Sequence, residues 1–145
     1  MTNFHGLTDI PRRFPETDPG REERIDNEII VDAYGDEGIA SSWYYYLEEK
    51  LRFPFKAMVL THRYRPGPKS VATSVSQVEL IGMAPLSRCG YHQMWAMGVL
   101  SLRRDAPLHF FLSDIIEIEP EEERETALTD WVYWNREQLA EIWEQ

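Results

Sequence analysis

The stretch W-Y-Y-Y-L-E-E-K-L-R-F-P-F, from Trp43 to Phe55, decides how this chain folds. Six of its thirteen residues are aromatic. Ile39, Trp43, Tyr46 or Leu47, and Lys50 or Leu51 follow at helical spacing, which predicts one core-facing stripe on a helix. Four consecutive aromatic residues cover all sides of a helix, so some rings of Trp43–Tyr46 face outward. Pro54 then ends the helix by Phe53, because the residue before a proline is pushed out of helical geometry.

Upstream, R-E-E-R-I-D-N-E-I-I-V-D-A-Y (residues 21–34) predicts a first helix. Ile25, Ile29 and Ala33 are four apart, and acids load the first turn, where they suit the helix dipole. Gly35 reads as its C-terminal stop and Asp36 as the cap of the next helix. Two helices joined by so short a turn suggest a helical hairpin over 21–53. Pro11, Pro15 and Pro19 do not suit a helix, so residues 1–20 read as an extended arm. Phe4, Leu7, Ile10 and Phe14 are placed to pin it to the body.

Downstream of Phe55 the period changes. Residues 56–64 and 73–83 read as strands, the second with a register break around Ser76-Gln77 that suggests a bulge or an early irregular start. R-P-G-P-K-S (65–70) and 84–90 read as loops. Residues 91–102 read as a third strand, 103–106 as a hairpin turn, 107–112 as a fourth strand and 113–118 as a turn with a short strand. Short antiparallel strands in this spacing suggest a small SH3-like β-barrel over 56–118. Pro120 is a suitable first residue for a C-terminal helix over 120–143, with Leu128, Trp131, Val132, Leu139, Ile142 and Trp143 on its apolar face. The fold class is α+β: one domain over 21–145 after the arm.

The net charge is −10, with one cysteine among 145 residues. An acidic chain is a poor match for nucleic acid. No apolar run approaches the ~20 residues of a membrane helix. A single cysteine excludes an intrachain disulfide, and a cytoplasmic location is expected. The charge is unevenly placed. Residues 22–49 hold nine acids against Arg24, and 114–130 hold eight against Arg124. Residues 50–113 hold nine lysines and arginines against Glu79 and Asp105.

E-I-I-V-D-A-Y (28–34) followed by W-Y-Y-Y-L-E-E-K-L-R-F-P-F-K-A (43–57) resembles the CcbP-type small calcium-binding proteins. G-M-A (82–84), F-L-S-D-I-I-E-I (111–118) and D-W-V-Y-W (130–134) agree in order, so the resemblance covers roughly residues 22–135. It implies an acidic protein that binds Ca²⁺ without an EF-hand. No EF-hand loop is present: D-A-Y-G-D-E-G (32–38) puts Glu37 where that loop requires glycine. The family pattern also implies an acidic loop after G-M-A. Here that loop, Pro85 to Gly90, carries no carboxylate and holds Arg88.

Calcium selects six to eight oxygens, several of them carboxylates. Glu28 and Asp32 share a helix face, Asp36 and Glu37 stand at the turn, and Glu48 and Glu49 are adjacent on the second helix. These six are the candidate ligands. The run Glu117–Glu125 serves as a helix start that also attracts cations loosely. Cys89 and His92 are three apart, but no second pair completes a zinc site. No G-x-S-x-G, P-loop or dinucleotide turn is present, so no enzyme is expected. The sequence thus supports a calcium buffer or sensor. The alternative is a protein–protein interaction module with a weakened or lost calcium site.

Overall fold

The computed structural model describes residues 6–11, 13–15, 17–64, 71–90, 93–100 and 103–144, with only the backbone at 62–64, 71–73, 103 and 137–144. The elements run β1 (Thr8–Asp9), α1 (Pro19–Arg24) continuing into a π-helical turn (Ile25–Ile29), α2 (Gly35–Lys50), β2 (Phe55–Tyr64), β3 (Val71–Met83), β4 (Trp95–Leu100), β5 (Arg103–Phe111), β6 (Ile115–Ile118) and α3 (Glu122–Glu144). The expected α+β class is what the structure has.

Among the described residues the six strands form one antiparallel sheet in the order β1-β6-β2-β3-β4-β5. The sheet is open, not the SH3-like barrel expected from the strand spacing. The 3₁₀ turn Leu112–Asp114 returns the chain across the sheet, so that β6 pairs with β2 and not with β5. Helices cover the apolar face, so the sheet buries that face without closing on itself. The face holds Phe55, Ala57 and Val59 of β2, Val78 and Leu80 of β3, Ala96 of β4 and Phe110 of β5. Gly98 belongs to it too: a Cβ there would lie 3.0 Å from Leu80 and 3.1 Å from Phe110, so the layer packs this closely only around glycine.

The expected bulge at Ser76-Gln77 is absent. β2 and β3 pair without a break from Phe55↔Leu80 to Tyr64↔Val71. The irregularity falls between Leu80 and Gly82 against β4, leaving Ile81 as the extra residue. Residues 103–106, read as a turn, open β5, with Arg103 opposite Leu100. The third strand starts at Trp95, later than residue 91. The loop 65–70, Phe4 and His92, with the side chains of Leu139, Ile142 and Trp143, lie outside the described residues.

The helical hairpin also needs correction. The single helix expected over 21–34 is shorter and composite. Asp18 caps α1 by accepting from the Arg21 amide at 3.2 Å, and Pro19 opens the helix, where its missing N–H costs nothing. The Ile30 amide then donates to the Ile25 carbonyl, a five-residue closure that places both Ile25 and Ile29 in the core. Ile30 leaves helical geometry, and Asp32 adopts a left-handed φ of 59°. Gly35 does not stop this helix; with φ 69° it opens α2, whose N-cap is Tyr34 rather than Asp36.

The main helical partner of α2 is α3. Trp43 packs edge-on to Trp131 at 5.2 Å and tilts against Trp134 at 5.5 Å between ring centroids. Trp43 and Trp131 have no exposed surface. Truncating a buried tryptophan to alanine typically costs about 3–5 kcal/mol, so this seam outweighs the short link to the first helix. The N-terminal segment is tied down as well: Leu7 and Ile10 are buried, and β1 pairs with β6.

Candidate metal centre

The π turn, α2 and α3 enclose an open groove of about 530 Å³. Glu28 reaches it from the π turn. Tyr46, Glu49 and Lys50 reach it from α2, as residues three and four apart share a helix face. Glu122, Glu123 and Thr126 reach it from the first turns of α3. Glu28, Glu49 and Glu122 are exposed, and Glu123 is half-exposed.

Two cations stand among these acids. Lys50 Nζ lies 3.2 Å from Glu123 Oε2, and Arg52 Nη2 donates to Glu123 Oε1. Arg52 Nε also lies 3.7 Å from Glu121. Arg52 and then Lys50 hold the Glu123 carboxyl below the usual carboxylate range. Arg52 has a left-handed φ of 55°, and Arg124 secures that backbone from beneath. The buried Arg124 guanidinium donates to the carbonyls of Leu51 at 2.7 Å, Arg52 at 2.7 Å and Glu119 at 3.0 Å. It also lies 4.3 Å from the Phe55 ring centroid. The end of α2 is thus fastened to the start of α3, and the groove has a firm floor at that end.

A second charged cluster fixes the opposite wall. Asp130 has no exposed surface and accepts from Arg21 Nη1 at 2.5 Å and from Arg24 Nε and Nη2 at 2.9 and 2.7 Å. Tyr133 adds two bonds: its hydroxyl accepts from the Asp18 amide at 3.1 Å and donates to Glu22 at 3.0 Å. Together they clamp α1 onto α3 and so hold the π turn that carries Glu28. Tyr46 bridges groove and core, its ring 6.1 Å from Trp43. Burial, with Asp130 nearby, pushes its phenol up.

Of the six expected ligands, Glu28 and Glu49 line the same groove. Asp32, Asp36 and Glu37 are exposed at the turn before α2. Glu48 is exposed one face round from Glu49, beside Tyr44; burial and then the Glu48 charge raise that phenol's pKa. Tyr44 donates to the Ala84 carbonyl at 2.6 Å and so ties α2 to the Pro85–Gly90 loop. Glu122 and Glu123 were missing from the expected set. Their signal was the acidic run before α3, read chiefly as a helix start. Cys89 is half-buried, and its sulfur accepts from the Trp95 amide at 3.5 Å; burial pushes the thiol up. Among the described residues, no three histidine, cysteine or carboxylate side chains are gathered closely enough to hold a metal ion.

A family model described as calcium binding, that of the CcbP proteins, matches residues 23–135. The chain belongs to the CcbP-type calcium-binding family. Two solved structures agree with its fold. The crystal structure of Anabaena CcbP is 34% identical, with a TM-score of 0.70 over 83% of this chain and 92% of that one. A calcium-binding protein in its calcium-binding form is 35% identical, with a TM-score of 0.69 over 85% and 94%. No curated protein matches. Calcium is a hard cation that selects carboxylate oxygens, and four glutamates line this groove without gathering closely enough to hold an ion. Their spacing is that of an open acidic groove, not a closed cage, and Lys50 stands inside it.

Proposed function

We propose that this CcbP-type chain binds Ca²⁺ reversibly at the groove between the π turn, α2 and α3, as a buffer or sensor. One observation carries the reading: carboxylates from three separate elements, Glu28, Glu49, Glu122 and Glu123, line a single open space. Like charges held together repel, and a divalent cation relieves that repulsion. Glu28, Glu49 and Glu122 would supply ligand oxygens, with water completing the shell. Asp32, Asp36, Glu37 and Glu48 are outer acids that raise the local cation concentration.

An open site with exposed ligands binds weakly, so a dissociation constant of about 10⁻⁴–10⁻³ M is expected. Isothermal titration of chelator-stripped protein in low salt tests this. Saturable heat in that range supports the reading; none with Ca²⁺ carried about tenfold above that range removes it. The role needs no catalytic group, and a reducing cytoplasm suits the lone Cys89.

A second reading has its own observation. The loop Pro85–Gly90 has no carboxylate and presents an exposed Arg88, so this chain lacks the acidic loop expected of the family pattern. In that case the protein is an interaction module whose calcium site is weakened. Capture of a partner with and without EGTA separates the two: equal retention without calcium favours the module.

A further inference from the structure

The gap where the sheet fails to close has a specific shape. β5 is an edge strand and pairs with β4 alone. β2 pairs with β6 only from Ala57 to Val59, because β6 begins at Ile115. Beyond Val59 that side of β2 has no strand partner among the described residues. Both unpaired edges border one groove of about 290 Å³: Leu60 and Thr61 line it from β2, and His109, Phe110 and Phe111 from β5. Trp95 of β4 lines it as well and stacks on Phe111, its cross-strand partner, at 3.7 Å between ring centroids. The exposed Arg88 lies over the Trp95 ring, 5.9 Å from its centroid.

Deepening the interaction-module reading above, on which it rests, we infer that this groove binds an acidic, extended peptide of a partner protein, which adds as a strand between β5 and β2. Strand edges offer backbone N–H and C=O groups. An extended peptide pairs with them, whereas a helix has already spent its own backbone bonds. Pro107 has no N–H, so pairing along β5 concentrates at Leu108–Phe111, beside the groove. Trp95, Phe111 and Leu60 suit an apolar side chain, and strand alternation turns its neighbours outward. Charge selects the sign of those neighbours. Arg88 stands next to the groove, and residues 50–113 hold nine lysines and arginines against Glu79 and Asp105. Asp114 also lines the groove but is already engaged within the chain. A second copy is a poorer occupant, because its β5 would bring Arg103 and Arg104 to a surface that is already basic. The competing explanation is that Trp95, Phe111 and Arg88 only stabilise the outer face of the sheet, with Pro107 guarding the edge. A purely structural role predicts no peptide binding.

Fluorescence anisotropy on the full chain, in EGTA, tests this with labelled peptides about eight residues long that alternate glutamate with valine, leucine or phenylalanine. Two controls accompany them. One replaces glutamate with lysine. The other methylates alternate backbone nitrogens, which keeps the side chains and removes the N–H groups of one edge. At least one acidic peptide is expected to bind saturably, with both controls weaker by about tenfold or more. The amides of Leu60, Thr61 and residues 108–111 should gain protection from hydrogen exchange on binding. Arg88→Glu is expected to weaken the acidic peptide about three- to fivefold and Arg88→Lys to change it little, both with unaltered thermal unfolding. Equal binding of the methylated peptide overturns strand addition, and equal or tighter binding of the lysine peptide overturns the charge assignment. Self-association of the chain that protects the same amides overturns the proposal in favour of a second copy. If no acidic peptide gives a saturable signal up to about 1 mM, the inference fails. The module reading is then still decided separately, by partner capture with and without EGTA.

Discussion

Asp130 and Glu123 are both carboxylates of α3, seven residues apart, and each meets two basic side chains. They differ in water. Asp130 is fully buried and accepts three hydrogen bonds from Arg21 and Arg24. The Glu123 side chain is 40% exposed, and its partners Lys50 and Arg52 are 34% and 55% exposed. The first cluster cannot exchange its partners without stranding a charge in the interior. The second can trade Lys50 and Arg52 for water or salt at little cost. Burial, more than composition, separates a structural acid from one free to bind.

The strongest attempt to break this comparison is Asp130→Asn. It keeps the shape, removes the charge and leaves two half-buried guanidinium groups without a counter-charge. A loss of about 3 kcal/mol is expected, below the largest values for buried pairs because both arginines keep some contact with water. Urea unfolding measures it, and a change under about 0.5 kcal/mol would place Asp130 with the surface acids. Arg124→Met comes next. It removes the donors to the carbonyls of Leu51, Arg52 and Glu119 while filling much of the space. A loss of about 2 kcal/mol is expected in the same assay. Faster amide exchange at residues 51–53 should accompany it.

Glu49→Gln sharpens the other side of the comparison. An exposed glutamate that forms no close ion pair among the described residues should change stability by less than about 0.5 kcal/mol. Calcium affinity, which depends on the count of ligand charges, should still fall severalfold by titration. The smallest effect concerns pH. Arg52 and Lys50 hold the Glu123 carboxyl below its ordinary range, so its folded pKa lies below its unfolded one. The stabilisation is therefore complete above the ordinary carboxylate pKa and is lost as pH falls through the folded value. Thermal unfolding of wild type and Glu123→Gln should differ slightly near neutrality and converge in acid. Asp18, lowered mainly by the Arg21 amide, follows the same direction.

How much of this was legible depends on range. The helix stop before Pro54 and the change to strand just after it, expected at residue 56 and found at Phe55, were readable, because each follows from local backbone chemistry. The opposite fates of adjacent side chains were half readable. Helical geometry requires outward rings in Trp43–Tyr46, yet only packing shows that Tyr45 is the exposed one and that Tyr44 is buried against Ala84. Gly35 was read as an end because glycine favours positive φ, and it does have φ 69°. Its φ alone does not tell which helix it serves. The π turn escaped notice because Ile25 and Ile29 fit an ordinary helical spacing equally well.

By itself the sequence determined the α+β class, the switch from helix to strand around Pro54, the acid-rich flanks about a basic middle, and the family. These follow from short-range sterics, periodicity and composition. Tertiary structure alone decided that Trp43 packs on Trp131 and Trp134, that the sheet stays open, that Asp130 is sealed between arginines, and that Glu28 and Glu49 share a groove with Glu122 and Glu123. The physical reason is that desolvation and pairing are set by elements that pack from opposite ends of the chain.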